Sequence, residues 1–138
     1  MIYNQIEDMI REEQKLKGKD FIDVGSLNNY IDKIRNKAEL IAHIVEGACV
    51  GFIAFYANDE AKENAFITMI MIRSNMRGKK IARSLLTAVL ENMTSRGFKF
   101  CNLEVRTNNT NAIKLYENLG FKIKNINSNS IFMFKELF

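Results

Sequence analysis

Apolar residues recur along this chain in two rhythms, and each change of rhythm marks an element. From Ile2 to Lys17, the residues Ile2, Ile6, Met9 and Ile10 share one helical face, with Gly18 as the expected stop. Ser26 is placed to cap a second helix, Leu27 to Lys37, whose inward face is Leu27, Tyr30, Ile31 and Ile34. The pattern then becomes strand-like. Glu39 to Val45, a Glu46-Gly47 turn and Cys49 to Tyr56 predict a hairpin. Asn58-Asp59 opens a polar loop to Asn64, and Ala65 to Ile72 is apolar on both faces, as in a central strand.

A basic loop, Arg73 to Lys80, leads into a helix to about Arg96, with Ile81, Leu85, Ala88, Val89 and Met93 inward and Gly97 as its stop. Phe98 to Val105 reads as a strand. Asn-rich residues 107–111 open a last helix bearing Ala112, Leu115, Tyr116 and Leu119, which Gly120 closes. Phe121 to Asn125 and Ile131 to Phe138 flank an Asn/Ser turn as a final hairpin. A strand–helix–strand crossing over residues 65–105 implies one parallel pair, while the hairpins make the rest antiparallel. The expected fold class is therefore mixed α+β: a mostly antiparallel sheet of six or seven strands, flanked by about four helices.

Composition narrows the function classes. The 138 residues suit one domain, 1–138, and no repeat, linker or proline interrupts them. Ten Phe and four Tyr supply core volume. No run approaches the ~18 apolar residues of a membrane helix, and Glu7, Asp8, Glu12 and Glu13 stand where a secretory leader would be apolar. The expectation is a cytoplasmic protein, without a membrane partner. Cys49 and Cys101 sit in apolar strands and read as reduced core residues; with a single histidine, His43, no metal site is expected. The net charge of +4 fits a nucleic acid or an anionic cofactor. However, the basic residues are scattered except around Arg77 to Arg83, and no nucleic-acid motif is present, so no nucleic-acid partner is expected.

That one cluster sits where chemistry is expected. Arg77-Gly78-Lys79-Lys80-Ile81-Ala82 joins a buried strand to a helix start, where backbone N–H groups are unpaired and the dipole is positive. Gly78 permits close backbone approach, and Arg77, Lys79, Lys80 and Arg83 add charge, so the segment suits a pyrophosphate or is a solvated basic turn. Neither the P-loop nor the Gly-x-Gly-x-x-Gly spacing is present.

The segment Ile72-Arg-Ser-Asn-Met-Arg-Gly-Lys-Lys-Ile-Ala-Arg-Ser-Leu-Leu86 resembles the acetyl-CoA motif of the GNAT N-acetyltransferase superfamily, Arg/Gln-x-x-Gly-x-Gly/Ala. Arg77 and Ala82 match, and Lys80 stands where the family usually has Gly. A second stretch, Leu103 to Phe121, resembles the family's Asn-x-x-Ala followed by Leu-Tyr-Glu-x-Leu-Gly-Phe, at Asn109, Ala112 and Leu115 to Phe121. The likeness covers about two-thirds of the chain. The family usually opens with a strand, where this chain shows helices up to residue 38.

The resemblance implies an acyltransferase that moves an acetyl group from acetyl-CoA to an amine by direct attack in a ternary complex. Amides from Arg77 to Arg83 would hold the pyrophosphate, and Ile70, Met71 and Ile72, beside a strand bulge, would carry the donor to the thioester oxygen. Asn109 would touch the cofactor, or simply cap its helix. Tyr116 would be the acid for the departing thiolate, or a core tyrosine. Glu104 occupies a position held by a proposed base in ribosomal-protein N-terminal acetyltransferases, which share the string Leu-Glu-Val-Arg; it is equally a strand glutamate paired with Arg106. A base or desolvation is needed because a lysine-like amine is neutral in only about one molecule in 2,500 at pH 7. His43, Asn58 and Asp59 are lesser candidates. The expected acceptor is a small-molecule amine, an amino sugar for example. A protein N-terminus and a non-catalytic acyl-CoA-binding domain are the alternatives, and family members often pair as homodimers.

Overall fold

The computed structural model describes residues 2–17 and 27–138, so Gly18 and Ser26, expected to stop and start the first two helices, lie outside the described residues. The elements are α1 (Ile2–Lys17), α2 (Leu27–Lys37), β1 (Glu39–Val45), β2 (Ala48–Tyr56), β3 (Asn64–Ile72), α3 (Ile81–Ser95), β4 (Phe100–Arg106), α4 (Thr110–Asn118), β5 (Lys122–Ile126) and β6 (Ser130–Glu136). The order matches the expectation. A short 3-10 turn, Ser74–Met76, breaks the basic loop and was not legible in the pattern.

One six-stranded sheet runs β1-β2-β3-β4-β6-β5, antiparallel throughout except for β3 and β4. Its two faces bury different clusters. Ile53, Phe55, Ala65, Ile67, Cys101, Leu103 and Met133 meet Ile81, Leu85, Leu86, Val89 and Met93 of α3, together with Tyr116 of α4. Cys49, Phe52, Ala54 and Met71 meet Ile6, Met9 and Ile10 of α1 and Ile31 and Ile34 of α2. The helical spacing of these side chains puts each set on one stripe, and full burial of such a side chain stabilises by about 1.5–3 kcal/mol. The α3 stripe is wider than expected: Leu86 and Leu90 are buried, whereas Ala88 is only half-buried. Cys49 and Cys101 are both buried and free, and they belong to opposite faces.

Two phenylalanines expected to begin strands instead finish helices. At the end of α3 the Phe98 amide donates to Met93 O and the Gly97 amide to Thr94 O, with Gly97 at φ 90°. At the end of α4 the Phe121 amide donates to Tyr116 O and the Gly120 amide to Glu117 O, with Gly120 at φ 98°. Both are Schellman closures, in which a left-handed glycine turns the chain and the next apolar residue folds back onto the helix. Phe98 and Phe121 are accordingly buried, and β4 and β5 start later than the apolar run suggested.

Gly51, on β2, makes room for the start of α3. A Cβ there would lie 2.7 Å from Ile72 Cδ1, 3.2 Å from Met71 O and 3.3 Å from Ile81 Cγ2. Gly51→Ala is expected to lower unfolding free energy by about 1–3 kcal/mol, the usual cost of overpacking, as read from urea denaturation.

Candidate active site

The site begins where β3 and β4 stop pairing. Their parallel register runs from Asn64 opposite Phe100 to Ile67 opposite Leu103, and no further. At the same level β3 carries an extra residue: Ile67 pairs with Phe55 and Met69 with Ala54, which leaves Thr68 outside the ladder. The side chains confirm it. Ile67, Ile70 and Ile72 pack toward α3, whereas Met69 and Met71 pack toward α1 and α2. A bulge of this kind bends its strand and raises the local twist. The two strands diverge and open a cleft of about 660 Å³.

Ile67 to Ile72 form one wall of this cleft, Leu103 to Arg106 the other, and Asn109, Ala112, Leu115 and Tyr116 of α4 close it. Arg77 and Ala82 lie at its mouth, where it adjoins a second hollow lined by Met76, Gly78, Lys80, Ile81 and Arg83. The expected site residues are therefore gathered in one region from both motifs. Lys79 is exposed on the same loop.

The basic loop has the geometry an anion requires. The first helical bond of α3 is the Ser84 amide to Lys80 O, so the amides from Gly78 to Arg83 have no backbone acceptor. Gly78 has φ 81° and open space where a Cβ would stand. Lys80 has the conformation that a glycine would favour, at φ 63° and ψ 20°, and so carries left-handed strain. Arg77 is exposed but tethered: its Nε donates to Ile72 O at 3.1 Å, and its Nη2 lies 3.7 Å from Glu13 Oε2. Glu13 also holds Lys17 at 2.9 Å, and both α1 residues line the cleft.

Tyr116 is buried, and its ring meets Phe121 edge-on at 5.8 Å between centroids. This is the apolar contact of the Schellman closure, so Leu-Gly-Phe at the end of the second motif fixes the Tyr116 ring. Burial pushes the phenol up to about 12, with a smaller contribution from Cys101. Burial likewise raises the Cys101 thiol to about 12, which leaves it a poor nucleophile. Asn109 caps α4, its Oδ1 accepting from the Ala112 amide at 3.3 Å.

Glu104 is exposed on the sheet face away from α3, and Ser130 Oγ donates to its Oε2 at 2.7 Å. On that face a further cavity of about 400 Å³ is lined by Tyr56, Asn58, Asp59, Phe66, Asn102 and Phe132, among others. Asp59 accepts from the amides of Ala61, Glu63 and Asn64, which lower its carboxyl pKa and tie it to loop structure. His43 is half-buried on edge strand β1 and lines neither the cleft nor this cavity. Ser130, Tyr30 and Tyr56 were not singled out from sequence. Periodicity filed Tyr30 with the core, although an inward phenol that needs a partner was the available signal.

No group of three or more metal-ligating side chains occurs among the described residues, and no described helix is long and apolar enough to cross a membrane. Known proteins give a consistent family. A model described as the acetyltransferase (GNAT) family matches residues 4–121. An N-acetyltransferase of Methanocaldococcus jannaschii, itself uncharacterized, is 34% identical over 86 residues, 59% of this chain and 38% of that protein. The [ribosomal protein bS18]-alanine N-acetyltransferase of Haemophilus ducreyi is 32% identical over 77 residues, 56% of this chain and 53% of that protein. The chain thus spans about half or less of these relatives. A solved structure of an aminoglycoside 6'-N-acetyltransferase complexed with coenzyme A superposes with a TM-score of 0.77 at 16% identity, over 99% of this chain and 91% of that one. With one family model spanning most of its length, and its two motifs brought together at a single cleft, this chain belongs to the GNAT family of acetyltransferases.

Proposed function

We propose that the cleft between β3 and β4 takes acetyl-CoA and that the domain transfers its acetyl group to a primary amine of a small molecule. The observation that carries this reading is the run of unpaired amides from Gly78 to Arg83, set in basic side chains at the mouth of the cleft. Such a helix start suits a diphosphate through both hydrogen bonds and dipole. The coenzyme would supply an activated acyl group and a thiolate leaving group; everything else is the work of the chain.

The backbone of β3 beyond the bulge has no partner strand on its β4 side, so its wall, Ile70 to Ile72 included, offers hydrogen bonds where negative charge develops on the acyl oxygen. Tyr116 holds its proton at Oη. With the phenol at about 12, above the ~8.5 of an ordinary thiol, complete proton transfer to sulfur is uphill, so Tyr116 acts by donating a hydrogen bond. Asn109, while capping α4, keeps its amide nitrogen for the coenzyme. Glu104, steadied by Ser130, takes the first proton from the incoming ammonium on the opposite face, and the second N–H proton released as the amide forms passes to the departing thiolate.

The cavity beside β4 and β6 supports a compact acceptor. It is lined by aromatic rings and amide side chains together with Asp59 and Lys124, a mixture that suits a polar, hydroxylated amine such as an amino sugar. A protein N-terminus is the second reading, favoured by Glu104 within Leu-Glu-Val-Arg and by the likeness to a ribosomal-protein acetyltransferase. We place the reaction in the cytoplasm, where the two free thiols would stay reduced.

Coenzyme A release from acetyl-CoA, assayed against a panel of amino sugars, polyamines and N-terminal peptides, should respond to a small amine. Activity with peptides alone moves the assignment to the second reading, and calorimetry without coenzyme A binding overturns the cleft itself. Tyr116→Phe should lower kcat by about 10- to 100-fold, the loss of one hydrogen bond to a charged sulfur. Because burial raises the phenol, the proton is present below about pH 12 and is lost above it. The wild-type kcat profile should therefore show no downturn near pH 10. Lys80→Gly should raise stability by about 1 kcal/mol through relief of the left-handed strain. The same change should weaken coenzyme A binding severalfold at low salt, with the gap closing as salt screens the lost charge.

A further inference from the structure

The bulge in β3 leaves Thr68 without a partner in either neighbouring strand, and a side chain from across the sheet meets it there. Tyr30 of α2 donates from its hydroxyl to Thr68 O at 3.3 Å, and the same oxygen lies 3.1 Å from Thr68 Oγ1. We propose that Tyr30 is a positioning residue for acetyl transfer, whose hydroxyl pins the bulge at Thr68 and so aims the unpaired edge of β3 into the cleft. The inference rests on the reading of that cleft as the acetyl-CoA site.

Three observations support it. Leu27, Ile31 and Ile34 already give α2 its apolar contact, so a phenylalanine at 30 would pack as well, and the hydroxyl contributes its polar contact alone. An extra residue in a bulge has its backbone groups outside the ladder, and its carbonyl needs a donor from elsewhere if it is withdrawn from water. Finally, Thr68 has a rival partner. The buried Tyr56 hydroxyl also approaches the Thr68 side chain, although no hydrogen bond of good geometry joins them. Removing the Tyr30 hydroxyl frees Thr68 to turn toward Tyr56, and the bulge then has two ways to settle. Burial keeps the Tyr30 phenol protonated and therefore a donor at neutral pH.

The consequence is readable without knowing the acceptor. A β3 edge aimed at the acyl oxygen gives acetyl-CoA one hydrogen bond that coenzyme A lacks, about a fivefold preference in Kd. Calorimetry on the wild type should show that preference. Tyr30→Phe should bring the ratio toward one, with coenzyme A affinity held within twofold and Tm little changed. Thr68→Val keeps the carbonyl contact and should retain the preference. Tyr30→Met, packed differently, should lose it as Tyr30→Phe does. A ratio near one in the wild type, or a ratio unchanged in both Tyr30 variants, overturns the assignment. Failure of the wild type to bind coenzyme A at all would instead overturn the wider reading of the cleft.

Discussion

The site depends on an interruption. Strands β3 and β4 share only four paired positions before they separate, and they separate because Thr68 is one residue too many for its partner strand. Parallel strands at the centre of a sheet normally bury their hydrogen-bonding edges against each other. Here the edges part inside the domain, and the backbone groups so exposed face a cleft. A regular sheet of the same residues would have no such opening.

The rest of the fold braces that opening. From one face, α3 packs six buried side chains against the sheet and delivers its unpaired N-terminal amides to the mouth of the cleft. Gly51 eases this seating, because a Cβ there would crowd the Ile72 and Ile81 side chains and Met71 O. From the same face α4 brings Tyr116, held by the Phe121 ring. From the opposite face α1 and α2 cover β2 and the bulge, and Tyr30 touches Thr68 directly. Two strained or special backbone positions, Gly78 and Lys80, are tolerated at the loop, where strain commonly accompanies function.

Charge follows the same logic. Arg77 and Lys17 converge on Glu13 at the cleft entrance, so the loop's positive field is partly answered by a carboxylate from α1. An arriving diphosphate would compete for the same guanidinium. On the far side, the carboxylates have separate duties: Asp59 is committed to three loop amides, while Glu104 is held by one serine and stays open to solvent.

Periodicity determined the element order and most core positions, because burial of one face imposes the helical and alternating patterns directly, and the strand–helix–strand order implied the parallel pair. Motif spacing brought Arg77 to Arg83, Asn109 and Tyr116 forward as a group. The ends of elements were less legible, since Phe98 and Phe121 look like strand residues until the left-handed glycine before each folds it onto a helix. Only the tertiary structure decided that Thr68 is the bulge and that Tyr30 and Ser130 reach the site. Those contacts join residues 38 and 26 positions apart, and a local pattern carries no record of which distant side chain will satisfy an unpaired group.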